Sequence, residues 1–221
     1  MDPLPPTFAT TRDGLHRLAC YVIAPAGKAR TGRIVMRPTG DGFGTPPVDD
    51  GPRIAVRGAE LVVGDRAAPI TTLRDAAAVV GIELSPDPGV GADLPPYEPD
   101  AALAVDAAAS LALGAWYAFG DAALDRVALD GAAIGAALLW PEHFDIAVVV
   151  TLPGGAGVTL GFSPGDSFSS APYAYVGPHD RTALDDPFWN APFGALRSAA
   201  DLAGDEAAVD AFLADGLARI R

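Results

Sequence analysis

The chain has 221 residues, of which 50% are hydrophobic and 19% are charged. That composition excludes a disordered chain and is enough for one substantial core. The net charge of −13 repels phosphate backbones and anionic lipid head groups, so neither nucleic acid nor a membrane surface is expected as a partner. The lone Cys20 cannot form an internal disulfide. Because the N-terminus also lacks the pattern of a signal peptide, we expect a cytoplasmic protein.

Apolar residues recur at helical spacing in four segments of the chain. Capping residues precede three of them: Thr10 or Thr11 for the first helix, Thr71 or Thr72 for the second, and Asp205 for the last. Pro25 is expected to end the first helix, because proline lacks the N–H that an interior turn needs. The third helix carries Asp106 and Ser110 on one side, which predicts a core helix with a polar face rather than a membrane span. The helices are predicted over 10–24, 71–81, 101–129 and 205–219.

Alternating polar and apolar residues predict the strands. In the first half, Gly32–Pro38 is expected to be a strand, Gly40–Pro52 a long loop, and the residues around Gly58-Ala59 a hairpin. In the second half, Leu138–Asp180 is expected to contain three antiparallel strands, the last at Pro172–Gly177. These strands predict a mainly antiparallel sheet of about six strands.

Helices and strands together predict an α+β fold in a single domain spanning residues 1–221. Leu84–Asp100 is dense in proline and glycine, and we interpret it as a surface loop. The alternative is a domain boundary there. A surface loop is favoured because the first half alone would bury little apolar surface.

His143 and Asp145 are the candidate catalytic residues. They stand two apart in a predicted strand, so both side chains should leave the same face of the sheet. A carboxylate in that position can orient a histidine as a general base. The alternative is a polar pair that only satisfies its own hydrogen bonds at the end of a strand, which is the commoner case. No H-x-x-x-H, H-x-H or C-x-x-C spacing occurs, so neither a metal nor another cofactor is predicted.

A small-molecule pocket is predicted beside this pair. Aromatic side chains with a polar group often line such pockets, although they also simply cover sheets. The glycine-rich Gly40–Thr45 lacks the Gly-Lys-Ser/Thr ending of a phosphate loop, so nucleotide binding is not expected there. The residues predicted to close around the ligand are Phe43, Tyr173, Tyr175, Trp189 and Asn190.

Two further interpretations come from other parts of the sequence. Asp13, His16 and Cys20 have helical spacing and resemble a Cys-His-Asp set, but one helix face offers neither an oxyanion hole nor a cleft, so we do not expect catalysis there. The competing function is a non-catalytic interaction module. In that case the aromatic segment 185–195 would contact a protein partner or the second copy of a homodimer.

Four motifs occur in order along the chain and together resemble an uncharacterised family of acidic actinobacterial proteins. They are LWPEHFD (Leu139–Asp145), GFSPGD (Gly161–Asp166), PYAYVGP (Pro172–Pro178) and FWNAPFGA (Phe188–Ala195). The family has no assigned activity, so the resemblance carries no catalytic role to these residues. It implies a soluble bacterial protein built as one unit.

Overall fold

The computed structural model describes residues 3–47, 51–92, 94–182, 184–202 and 204–220. Its α+β architecture confirms the predicted fold class. The helices are α1 (Phe8–Leu18), a π-helical turn (Ala19–Ile23), α2 (Ala24–Thr31), α3 (Leu73–Val80), α4 (Ala107–Asp125), α5 (Ala199–Leu202) and α6 (Glu206–Arg219). The strands are β1 (Arg37–Pro38), β2 (Gly42–Gly44), β3 (Ile54–Arg57), β4 (Glu60–Val63), β5 (Arg66–Pro69), β6 (Ala133–Ile134), β7 (Leu138–Trp140), β8 (Asp145–Thr151), β9 (Gly157–Ser163), β10 (Tyr173–Pro178) and β11 (Ala195–Ser198).

The described residues divide into two compact units, each with its own antiparallel sheet. The N-terminal unit contains residues 3–118 and 139–144, and the C-terminal unit contains residues 119–138 and 145–220. The proline-rich stretch 84–100, of which residue 93 lies outside the described part, belongs wholly to the N-terminal unit. The single domain predicted for 1–221 stays a prediction. The predicted antiparallel pairing is confirmed, and the strands form two such sheets, one of five strands and one of six.

The sheet of the N-terminal unit has the order β1-β2-β3-β4-β5. The predicted hairpin is confirmed, with Arg57 opposite Glu60 around the turn. Strand β2 lies inside the stretch predicted as a loop, of which residues 48–50 are outside the described part. This strand approaches β3 so closely that a Cβ on Gly42 would lie 2.0 Å from the carbonyl oxygen of Val56. Gly42 therefore allows the two strands to pair closely, although the glycine-rich sequence around it is also typical of a turn.

The first helical segment begins at Phe8, so the predicted caps Thr10 and Thr11 lie inside it, and it continues beyond Pro25, where it was predicted to end. A wider π-helical turn, Ala19–Ile23, separates α1 from α2 and places Pro25 in the first turn of α2. A proline in a first turn removes no N–H that the helix needs. Helix α2 ends at Gly32, whose φ of 73° is left-handed. The strand predicted from Gly32 therefore begins only at Arg37.

Helix α4 is shorter than the predicted 101–129. The backbone N–H of Ala109 donates to the Asp106 carboxylate over 2.9 Å. Asp106 therefore caps the N-terminus of the helix instead of lying inside it. Among the helices of the described ranges, none is both long and apolar enough to cross a membrane.

The sheet of the C-terminal unit has the order β11-β10-β9-β8-β6. Helix α6 packs on one face, where Gly216 lies so close to Val176 that an added Cβ would be 2.7 Å from that side chain. Strand β11 begins at Ala195, the last residue of the aromatic segment 185–195, and the sequence pattern did not predict it. We call the side that α6 covers the helix face and the other side the tyrosine face.

Candidate ligand-binding pocket

The register of β9, β10 and β11 decides which side chains of the C-terminal unit can meet. In antiparallel sheets, directly opposed residues point to the same side. Tyr175 lies opposite Gly161 and Tyr173 opposite Ser163, which places both tyrosines on the tyrosine face. Arg197 lies opposite Ala174, one position out of phase with the tyrosines, and therefore points to the helix face. The C-terminal unit thus has two separate polar sites.

Tyr175 and Asp145 form the first hydrogen-bonded pair of the tyrosine face. The Tyr175 hydroxyl donates to Oδ2 of Asp145 over 2.5 Å, and the Asp145 side chain is buried. The ring lies directly over Gly161, where a Cβ would come within 2.5 Å of it. Burial raises the pKa of Tyr175 well above its usual value, and the Asp145 carboxylate raises it further. Near neutral pH the hydroxyl therefore stays protonated and acts as a donor.

Tyr173 and Asp166 form the second pair, also at 2.5 Å. The other oxygen of Asp166 accepts from the backbone N–H groups of Phe168 and Ser169, at 2.8 and 3.0 Å. Burial raises the pKa of Tyr173, and the hydrogen bond to Asp166 adds to this. The ring of Phe193 packs against both tyrosine rings, with centroids 6.2 and 6.0 Å away. Both predicted tyrosines thus donate to carboxylates and pack in an aromatic cluster.

A cavity of about 500 Å³ lies on the other side, beside β11, α5 and α6. This volume is in the usual range of small-molecule sites. Its lining combines one cation, one anion and one amide with apolar side chains. The lining residues are Asn190, Leu196, Arg197, Asp201, Leu202, Ala208 and Phe212.

Arg197 is the cation of this cavity. Its guanidinium carbon lies 5.3 Å from the ring centroid of Phe212 and 5.8 Å from that of Phe188. Its Nη1 donates to the Leu196 carbonyl over 3.0 Å. Arg197 forms no ion pair with a carboxylate of the described residues. The side chain is therefore held in place by rings and backbone while its charge is not neutralised by an acid.

A second cavity in the same unit provides a comparison. This cavity of about 290 Å³ lies between the end of α4 and α6, and its lining is mostly apolar. Its cation, Arg126, donates to Asp210 at 2.9 Å and lies 3.3 Å from Glu206. Two carboxylates already compensate the charge of Arg126. This cavity therefore attracts an incoming anion much less strongly than the cavity at Arg197 does.

Asn190 is the one predicted pocket residue that lines the larger cavity. Its Nδ2 donates to the Leu196 carbonyl over 3.2 Å, and its Oδ1 accepts from the Leu196 N–H over 2.9 Å. The amide therefore provides hydrogen-bond partners for the backbone N–H and C=O of Leu196 on the outer edge of β11, as a neighbouring strand would. It orders the strand that carries Arg197.

The remaining predicted residues lie elsewhere. Trp189 is half-buried, and its ring lies edge-on to Phe188 at 4.9 Å. Phe43 is fully buried in the N-terminal unit against Tyr117 and Phe144.

His143 is exposed in the turn before β8, in the N-terminal unit. Because β8 begins at Asp145, the expected strand alternation of His143 and Asp145 is wrong. The catalytic role of the two residues stays a prediction.

A buried polar group in the N-terminal unit was outside the predicted site. The His16 ring stacks on Phe144, and burial lowers its pKa to about 4. One turn further on, the Cys20 thiol donates to the Pro141 carbonyl over 3.1 Å, and burial raises its pKa to about 12. A buried, protonated thiol is a poor nucleophile near neutral pH.

Within the described ranges, no three His, Cys, Asp or Glu side chains are placed to hold a metal ion.

Sequence patterns did not reveal the cation of the larger cavity. Arg197 lies in the four-residue strand ALRS, which has no motif around it. Only its pairing with β10 and the position of α6 show that it lines a cavity.

Comparisons with family models, curated proteins and solved structures found no match to the chain.

Proposed function

We propose that the C-terminal unit binds a small organic carboxylate in the cavity at Arg197. The observation that carries the proposal is a guanidinium that lines a cavity of about 500 Å³ and has no described carboxylate as a partner. Guanidinium groups bind carboxylates through two parallel hydrogen bonds, and they remain charged at all physiological pH values. The proposal is one of binding and assigns no reaction.

Preorganisation supports this role. Phe188 and Phe212 support the guanidinium from the helix face, and the Leu196 carbonyl occupies one of its five donors. An arginine already held in one geometry loses less rotamer entropy when a ligand binds. The remaining donors can therefore be used by an anion at low entropic cost.

The charge of the whole chain also bears on selectivity. With a net charge of −13, the protein as a whole repels anions. A carboxylate therefore binds only where a local cation and apolar contacts outweigh that repulsion. Leu202, Ala208 and Phe212 provide the apolar contacts, so an aliphatic carboxylate is expected to bind better than acetate or an inorganic anion.

The test is isothermal titration calorimetry with 4-methylpentanoate and its neutral amide. The carboxylate should bind and the amide should not. Arg197→Met keeps a long apolar side chain but removes the charge, and it should weaken binding about tenfold or more, the equivalent of a charged hydrogen bond. Arg197→Lys should retain part of the affinity, because it keeps the charge without the planar fork.

Arg181→Met is the matched control. Arg181 is an exposed arginine of the same unit and is not part of the cavity. Its replacement removes one positive charge from the surface and should leave binding unchanged. Circular dichroism and melting temperature establish that each variant folds. The proposal is overturned if the carboxylate does not bind, or if Arg197→Met binds it as tightly as the wild-type protein.

A further inference from the structure

We infer that the ligand of this cavity is a small zwitterion of the amino-acid type, with an aliphatic side chain. The inference rests on the proposed carboxylate site and adds a second recognition group. Asp201 lines the same cavity as Arg197 and carries the opposite charge. A site that contains both charges is complementary to a ligand that contains both.

The two charged groups do not neutralise each other. Arg197 and Asp201 are four residues apart and line one cavity, yet they form no ion pair with each other among the described contacts. Each is held by different partners. Oδ2 of Asp201 accepts from the Ser198 hydroxyl over 2.7 Å and from its backbone N–H over 3.3 Å. Arg197 lies over the rings and donates to its neighbouring carbonyl.

This separation has a consequence for binding. Free arginine and aspartate side chains on neighbouring positions gain energy by pairing. Here the supports of each group keep a positive and a negative charge apart on the wall of the same cavity. A ligand with a carboxylate and an ammonium can satisfy both at once, the first at Arg197 and the second at Asp201. A plain carboxylate would bind at Arg197 but would also meet the unfavourable charge of Asp201.

The rest of the lining selects the remainder of the ligand. Leu202, Ala208 and Phe212 are apolar and belong to α5 and α6. The Asn190 amide already bonds to the β11 edge through both its oxygen and its nitrogen. The lining therefore favours an aliphatic side chain over a polar one.

Calorimetry with three related probes tests the inference. L-Leucine carries both charges, 4-methylpentanoate lacks the ammonium, and 3-methylbutylamine lacks the carboxylate. The wild-type protein should bind L-leucine about tenfold more tightly than 4-methylpentanoate, the usual gain from one charge-assisted hydrogen bond. 3-Methylbutylamine should bind more weakly than L-leucine and should be insensitive to Arg197→Met.

Asp201→Asn is the decisive variant, because asparagine retains an oxygen that can accept from Ser198. It should abolish the preference for L-leucine and leave 4-methylpentanoate bound at least as tightly as in the wild-type protein. Asp185→Asn is the matched control. Asp185 is an exposed aspartate of the same unit outside the cavity, so this variant should keep the full preference.

The outcomes separate the two proposals. If 4-methylpentanoate binds in an Arg197-dependent way and L-leucine binds no tighter, the zwitterion inference is wrong and the carboxylate site stands. A preference for L-leucine that survives Asp201→Asn also overturns the inference. If 4-methylpentanoate does not bind to the wild-type protein, the carboxylate site itself is wrong.

Discussion

The ring of His16 lies nearly parallel to that of Phe144, with the two centroids 5.0 Å apart. Besides burial, four neighbouring groups change the pKa of the His16 imidazole. The carbonyls of Pro141 and Glu142 and the carboxylate of Asp13 favour the imidazolium, while Arg12 opposes it. Burial has the largest effect and lowers the pKa from 6.5 to about 4. The folded protein therefore contains a neutral His16 at pH values where the unfolded chain would protonate it.

The stability of the protein should consequently fall in mild acid. The folded pKa of His16 lies below the unfolded value, so its full contribution to stability is present above pH 6.5 and is lost as the pH falls to about 4. At 1.36 kcal/mol per pKa unit, the loss is on the order of 3 kcal/mol. Urea unfolding at pH 7.5 and pH 4.5 measures it. In His16→Phe, which keeps a ring on Phe144 but cannot titrate, the decrease should be smaller by about that amount.

Histidine resonances give an independent measurement. The signal that disappears in His16→Phe should titrate near pH 4 in the wild-type protein. A midpoint close to the ordinary 6.5, or an equal decrease in stability with pH in both proteins, would show that burial does not control this ring.

Phe144 has a left-handed backbone, with a φ of 52° that is rare for a bulky residue. Its surroundings offset that strain. The Tyr117 hydroxyl donates to the Phe144 carbonyl over 2.6 Å, and the rings of Tyr117 and Phe43 pack edge-on against its ring. Strain of this kind persists only where surrounding contacts fix the residue. It also explains why the strand alternation expected from His143 onward starts only at Asp145.

At the scale of elements, the pairing of β9 with β10 depends on a missing side chain. Gly161 lies opposite Tyr175, and the tyrosine ring covers the bare glycine backbone. A Cβ at Gly161 would lie 2.5 Å from the ring and 2.6 Å from its hydroxyl oxygen. The ring could not keep that position, and its hydrogen bond to Asp145 would be disturbed.

Gly161→Ala should therefore destabilise the protein by about 1–3 kcal/mol, the usual cost of overpacking together with a weakened buried hydrogen bond. Gly154→Ala is the control, because an added Cβ there meets nothing within 4 Å and the φ is not left-handed. That change should be neutral or stabilise by up to about 1 kcal/mol, since alanine restricts the unfolded chain. Urea unfolding of both variants measures the difference, and equal stabilities would contradict the close packing of Tyr175 on Gly161.

At the scale of the whole molecule, helix α4 belongs to both compact units, since residues 107–118 lie in one and 119–125 in the other. The predicted single domain requires the two units to unfold together. Each unit contains a tryptophan that can report on it, Trp116 in the N-terminal unit and Trp189 in the C-terminal unit.

Urea unfolding of two variants should show one cooperative transition. The pair Trp140→Phe and Trp189→Phe leaves Trp116 as the fluorophore, and the pair Trp116→Phe and Trp140→Phe leaves Trp189. In each variant the fluorescence midpoint should coincide with the midpoint from circular dichroism, since a single domain unfolds in one step. Comparing two probes on the same variant removes the effect of the substitutions on stability. Separate midpoints would identify two domains instead.

The sequence by itself determined those elements whose signals lie within a few residues of one another. Asp205 caps α6 as predicted, and Thr72, one of two predicted candidates, caps α3, because a cap and its N–H partner are two or three residues apart. The hairpin at Gly58-Ala59 is similarly local. The antiparallel strands and the α+β class followed from such local patterns.

Only the tertiary structure decided which of these elements' side chains meet. Tyr175 and Arg197 could have shared a site, but the register of β10 and β11 directs them to opposite faces. The physical reason is that a register is set by hydrogen bonds and packing between segments far apart in the chain, and a shift of one residue moves a side chain to the other face of the sheet.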